Sequence, residues 1–272
     1  MPFRGQVAMT AVTPDTPRLL LCDFDGTQFY TSEPAPGGID VNKGYEIGIA
    51  THLGEAAAAQ FVQDDGHNHR SPAEIINSLA PHLGAEAVKV TAAVVQTKLE
   101  VLESCIGRPL EDGTPWPRPS AGFSELWNRI DTAKLVGEPI GTAVISNGHT
   151  SFEQKTFEML NLSQPDMYLT DDVLQALAFS LPHHLQVKPS PMLADLARHL
   201  WSYRLSSNGR EPSEIYTVVI GDDPQNDGGL ARNANADFVL LDPENARDSW
   251  QEVALKMSLG TLASAPLLAN GR

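Results

Sequence analysis

Positive charge is what this sequence is shortest of: 19 Lys and Arg stand against 34 Asp and Glu, a net charge of −15. A surface with that balance repels nucleic-acid phosphates and anionic membranes, so neither is expected as a partner. Cysteine is nearly absent as well; Cys22 and Cys105 form no CxxC pair and suit a reduced cytosolic protein. Long apolar runs are missing, for none approaches the ~18–20 residues a bilayer span needs. The first residues lack the apolar core of a signal peptide and are broken by Pro14 and Pro17. The chain is therefore read as cytoplasmic, with residues 1–16 a flexible tail or a start upstream of Met9. Nothing in the sequence sets the oligomeric state.

What is present is a rhythm of short apolar runs, each ending in turn or polar residues: Arg18–Cys22, Thr142–Ile145, Met167–Leu169, Tyr216–Ile220 and Asp237–Leu241. Runs this short and without alternation suit strands buried on both faces, hence a parallel sheet covered by helices. The stretches Gly148–Leu160, Ser190–Leu205 and Pro224–Asn235 are long enough for crossover helices. This predicts an α/β fold with a doubly wound parallel sheet.

About 120 residues separate the first run from the second, several times what one crossover needs. Within them Val88, Ala92, Val95, Leu99 and Leu102 recur at helical spacing, predicting one apolar face on a helix near Ala85–Ser104. Ser71-Pro72-Ala73-Glu74 reads as a capping box with Pro at the first helical position. A further helix is expected across about Lys43–Gln63. Breaker-rich segments, Glu33–Gly38 and Pro109–Pro119, bracket the interval. The division expected is a core from residues 17–33 and 120–272, with an inserted helical domain and its linkers at 34–119.

Chemistry is concentrated where the apolar runs end. Leu19–Thr27, LLLCDFDGT, delivers Asp23 and Asp25 at the end of a strand, where ligands of parallel sheets sit. Ser146-Asn147-Gly148 follows the second run; a hydroxyl and successive backbone N–H groups at a strand-to-helix turn can cradle phosphate. Lys188 stands in VKPSP. Asp222, Asp223, Asn226 and Asp227 follow YTVVI, an acidic group suited to a hard cation held through oxygen. Each motif alone also fits an ordinary turn or a solvated loop.

Their order is more telling. DxDGT, then SNG, then KP, then GDxxxxD resembles the motif series of the haloacid dehalogenase (HAD) superfamily across essentially the whole chain. The first and last motifs are specific, whereas the middle two count mainly through position. The insert is similar to the cap of the phosphoglycolate phosphatase and β-phosphoglucomutase branch. The resemblance implies a Rossmann-like core, Mg²⁺, and hydrolysis of a small phosphorylated metabolite. It implies Asp23 as nucleophile through an aspartyl-phosphate, Asp25 as acid and base, and Lys188 as the neutralising cation. Thr27, Ser146, Asn147 and Gly148 would hold phosphoryl oxygens. Asp222 would ligate the metal with Asp23, the Asp25 carbonyl and, less firmly fixed among Asp223, Asn226 and Asp227, Asp227.

The sequence departs from that pattern at Gln28, where an apolar residue is commoner. His67-Asn68-His69-Arg70 could close over the site, with Arg70 pairing a distal anion, or form a solvated turn; a zinc site there lacks a third ligand. His183-His184 reads as loop surface, Cys22 as core and the four tryptophans as packing. On the same scaffold a phosphomutase is an alternative, and a phospho-receiver that turns over little is another. A 2-haloacid dehalogenase is disfavoured because that branch lacks the aspartate supplied here by Asp25.

Overall fold

The computed structural model describes residues 12–67, 71–170, 172–173, 188–210 and 214–262. The chain divides into two compact units: Met1–Phe29 with Pro119–Thr150 and Asn161–Arg272, and Tyr30–Arg118 with Ser151–Leu160.

The first unit is built on a five-stranded parallel sheet. Its strands are β1 (Arg18–Cys22), β4 (Ile140–Ile145), β5 (Met167–Leu169), β6 (Tyr216–Gly221) and β7 (Asp237–Leu240), in the order β5-β4-β1-β6-β7. All five residues of β1 are buried, as the unalternating RLLLC demands of a central strand. The chain runs outward from β1 through β4 to β5, then returns to the other side of β1 for β6 and β7. That reversal opens a ligand crevice at the carboxyl ends of β1 and β6.

Alternate residues of β1 serve opposite layers. Leu19 and Leu21 join a cluster with Leu193, Ala197 and Trp201 of α7 (Met192–Ser207) and Leu230 and Ala231 of α8 (Asp227–Asn233). Two helices that the sequence pattern had not signalled, α5 (Phe123–Leu135) and α9 (Ala246–Lys256), pack on each other, with Phe123 against both Trp127 and Trp250. At the amino end of β1, Arg18 is wholly buried. Its guanidinium donates to the carbonyls of Pro14, Thr16 and Met257 and pairs with Glu138. Residues 12–16 therefore do not belong to a loose tail: the Arg18 bonds hold Pro14 and Thr16, and Ser258 Oγ donates to the Val12 carbonyl at 2.7 Å.

Between Tyr30 and Arg118 the second unit carries the α-helices α1 (Val41–Leu53), α2 (Glu55–Gln63), α3 (Pro72–Leu79) and α4 (Ala87–Glu103). Where the sequence suggested one helix over 43–63, Gly54 (φ 90°) breaks it in two. The capping box at Ser71 and Glu74 forms. On α4 the buried face is Ala87, Val94, Lys98 and Leu102, while Val88 is 76% exposed and Ala92 is also exposed. The predicted apolar face is therefore displaced around the helix. Apolar residues spread over more than one side of this helix, so spacing alone could not choose among them. The choice follows from close approach of α1: a Cβ on Gly48 would lie 2.7 Å from the Val94 carbonyl oxygen. Lys98 fits the buried face because its ammonium lies 4.9 Å from the Tyr45 ring centroid, a cation–π contact.

Ser151–Leu160, most of α6 (Thr150–Met159), groups with this second unit, although the sequence reading placed it in the core. Phe152 packs edge-on against Trp116 and Lys155 pairs with Glu103, which explains the assignment. Where the chain enters and leaves the unit, Phe29–Tyr30 (β2) pairs with Arg118–Pro119 (β3). Arg118 grips Glu33 through two bonds of 3.0 and 3.1 Å.

Gly48→Ala tests the helix contact. Ala normally adds about 1 kcal/mol to a helix interior relative to Gly. Here the overpacking, worth about 1–3 kcal/mol, should win. The thermal midpoint is expected to fall, and a rise would show that the two helix backbones are not in contact.

Candidate active site

The site lies at the carboxyl ends of three neighbouring strands. Cys22 is level with Val144 of β4 and Ile220 of β6, so the residues that follow emerge side by side. Asp23 continues the sheet by donating its N–H to the Ile220 carbonyl. The chain then coils tightly, with the N–H groups of Thr27, Gln28 and Phe29 all directed at the Phe24 carbonyl. Gly26, at φ 73°, makes this turn; a Cβ there would stand 2.3 Å from Asp222 Oδ2. Gly221 is required in the same way, since a Cβ would meet Asp227 Oδ2 at 2.1 Å. Both glycines bring backbone against carboxylates.

A pocket of about 260 Å³ is lined by Asp23, Asp25, Asn147, Lys188, Asp222, Asp223, Asn226 and Asp227. Carboxylate oxygens of Asp23, Asp222 and Asp227 all lie within 4.8 Å of one another. Lys188 pairs with Asp23 and reaches Asp227 Oδ1 at 2.7 Å. Thr27 is fully buried, and its hydroxyl lies 3.4 Å from Asp23 Oδ2 and 3.3 Å from Asp222 Oδ1. It therefore acts as a donor between two acids rather than as part of the wall. Asn147 is on the wall; Ser146 and Gly148 are not, and the Gly148 N–H donates to Ser146 Oγ at 2.8 Å.

The acidic segment after β6 divides its labour. Asp223 accepts from the Gln225 and Asn226 N–H groups at 2.7 and 3.0 Å and from Asn226 Nδ2 at 2.6 Å. Those bonds hold its carboxyl below the usual range, the Asn226 N–H first. It builds the turn into α8. Asp227, 2% exposed, accepts from the Asp223 N–H and faces Lys188, which joins it to the carboxylate cluster. The sequence left this choice open because all three side chains were within reach. Of the loop residues, His67 bonds to Asn42 and stacks on Tyr45. Asn68, His69, Arg70, His183 and His184 lie outside the described residues. Cys22 is wholly buried, and burial pushes its thiol well above the ordinary value.

Burial raises the Asp23 carboxyl to about 7 despite the Lys188 ammonium, with Asp227 adding repulsion. Burial works against the Lys188 ammonium too, but the Asp23 and Asp227 carboxylates outweigh it and raise its pKa. Five carboxylates against one ammonium form an anionic wall that a hard cation with oxygen preference would neutralise. Asp23, Asp222 and Asp227, whose carboxylate oxygens converge, fit such an ion.

No family model and no curated protein matches the chain. Among solved structures, a HAD-superfamily hydrolase, subfamily IA, from Geobacter sulfurreducens is similar at 16% identity, over 82% of this chain and 86% of that one, with a TM-score of 0.42. YfnB of Bacillus subtilis, solved with magnesium bound, is similar at 14% identity over 89% and 99%, with a TM-score of 0.44. The L-2-haloacid dehalogenase of Xanthobacter autotrophicus is similar at 18% identity over 92% and 90%, with a TM-score of 0.36. Likeness this distant transfers no residue roles. No helix among the described residues is long and apolar enough to cross a membrane.

The crowded carboxylates can be tested without any substrate. A carboxyl whose folded-state pKa is raised stabilises the fold only while protonated, so its contribution fades as pH rises from the ordinary range through about 7. In metal-free buffer at pH 8, Asp23→Asn should raise the thermal midpoint by ~2–4 °C, the shift that ~1 kcal/mol produces. Mg²⁺ should stabilise the wild type more than the variant. An unchanged or lower metal-free midpoint would mean the carboxylates do not repel one another.

Proposed function

We propose that this chain is a Mg²⁺-dependent phosphomonoester hydrolase of the HAD superfamily that works through an aspartyl-phosphate on Asp23. The observation that carries the reading is the convergence of Asp23, Asp222, Asp227 and Lys188 at adjacent strand ends, with Asp25 on the same pocket wall. A divalent cation held by Asp23, Asp222 and Asp227 would offset the repulsion between an anionic nucleophile and a phosphate dianion.

The remaining roles follow from the residues themselves. Asp23 attacks phosphorus as the bond to the leaving oxygen breaks, and Asp25 gives that oxygen a proton. Asp25, now a carboxylate, takes a proton from water as the water attacks the phosphorus; phosphate departs and Asp23 is restored. Lys188, paired with Asp227 as well, steadies Asp23 and offsets phosphoryl charge. Asn147 is the neutral donor for a phosphoryl oxygen. Asp25 favours phosphoryl transfer over halide displacement, because a halide leaves without needing a proton.

Asp23→Asn should abolish release of phosphate from p-nitrophenyl phosphate, and chelator should silence the wild type until Mg²⁺ is restored. Activity above a few per cent in the variant, or full activity in chelator, would overturn the assignment. Asp25→Ala should slow hydrolysis of alkyl phosphates, whose leaving groups need a proton, far more than that of p-nitrophenyl phosphate. Equal losses on both would remove Asp25 from the acid role.

A further inference from the structure

Asn147, the donor assigned above to a phosphoryl oxygen, is carried by a short arm between β4 and α6, residues 146–150. It is exposed, so packing does little to hold it and its place is set by the backbone that carries it. Such a donor is useful only when held still, since displacement by ~1 Å can cost on the order of 100-fold in rate.

What fixes the arm comes from the neighbouring strand. At its start the Ser146 N–H donates to the Leu169 carbonyl at 3.4 Å, extending the pairing of β4 with β5 by one step. In its middle the Gly148 N–H donates to Ser146 Oγ. At its end Asp172, three residues past β5, gathers three bonds on one oxygen. Its Oδ1 accepts from the Thr150 N–H at 3.2 Å, from Thr150 Oγ at 3.1 Å and from Thr170 Oγ at 2.6 Å. The two threonine hydroxyl oxygens are themselves 2.6 Å apart, and Thr170 is wholly buried. Burial works against the Asp172 charge, but these bonds, that from Thr170 foremost, hold its carboxyl below the usual range, and His149 adds attraction. Both ends of the arm are thus tied to residues 169–172, all within the first unit. The residues lining the pocket include Asn147 but not Thr150, Thr170 or Asp172.

We infer that Asp172 is a positioning residue for phosphoryl transfer, holding the arm through Thr150 and Thr170 so that Asn147 meets the phosphoryl oxygen. It acts on the reaction through the arm and not on the substrate. This role rests on the hydrolase reading above.

A double-mutant cycle on the full chain tests it, with Mg²⁺ and p-nitrophenyl phosphate, below the thermal midpoint of every variant. Asp172→Ala is expected to lower kcat/KM by ~10–100-fold, the scale of a misplaced group. Asp172→Asn keeps Oδ1 as an acceptor and should recover most of that loss. In an Asn147→Ala background, Asp172→Ala should cost little more, because residues that act through one another are not additive. Should the double variant turn over too slowly, the midpoint shift produced by inorganic phosphate in Mg²⁺ closes the same cycle. If Asp172→Ala does not fold, Thr170→Val removes the 2.6 Å bond to Asp172 and takes its place. A role confined to holding the fold together would give equal losses in both backgrounds. That result, an undiminished Asp172→Ala, or no recovery in Asp172→Asn would each overturn the positioning role while leaving the hydrolase reading intact. Failure of the wild type to turn over p-nitrophenyl phosphate would overturn the hydrolase reading, and this inference with it.

Discussion

Three carboxylates held within a few ångströms of one another are the constraint around which this protein is arranged. Two unit charges about 4 Å apart repel by several kcal/mol at the dielectric typical of a partly buried site. A single ammonium on Lys188, shared by Asp23 and Asp227, does not cancel that. The consequences are visible locally. Asp23 is raised to about 7 by burial and by its neighbours. Gly26 and Gly221 occur where any side chain would strike an aspartate. Asp223 is drawn away from the crowd into the turn that starts α8. A site so loaded with one charge is poised to gain a cation.

Such crowding needs a scaffold that will not relax it away. Asp23 follows a wholly buried central strand, flanked by β4 and β6 in matched register, so its backbone cannot shift without the sheet. The other end of that strand is pinned by Arg18, whose buried guanidinium is bonded to three carbonyls and Glu138. A buried charge with so many partners adds little net stability, but breaking its set of bonds would be costly. It joins the entry to β1, the entry to β4 and the end of α9 at one point. The two ends of β1 thus have opposite characters: a cation satisfied on all sides, and anions left in excess.

Excess negative charge is a theme of the whole chain and not only of its pocket. The basic residues of residues 30–118 are mostly committed to nearby acids or to a tyrosine ring, leaving the segment's own field acidic. Local ion pairing of this kind gives little stability at an exposed surface. Its larger effect is to leave few uncommitted cations among the described residues of the segment.

Strand ends were legible because short unalternating apolar runs followed by acids can hardly be anything other than buried parallel strands meeting a polar edge. The order of the motifs in the sequence could therefore foreshadow which acids share a pocket. Helix faces were less legible. Apolar residues of 87–103 spread over more than one side, and packing, with α1 in close approach at Gly48, decided that Val94 and Lys98, not Val88 and Ala92, are buried. The acids after β6 were equally ambiguous, since one-dimensional spacing put Asp223, Asn226 and Asp227 all within reach. Backbone N–H groups captured Asp223, and Lys188, 39 residues earlier in the chain, selected Asp227. By itself the sequence determined the parallel sheet, the position of Asp23 at its carboxyl edge and the chain's shortage of positive charge, because composition and period act locally. Which face a helix buries and which carboxylate joins a cluster were decided by tertiary structure, because both depend on partners that only packing brings near.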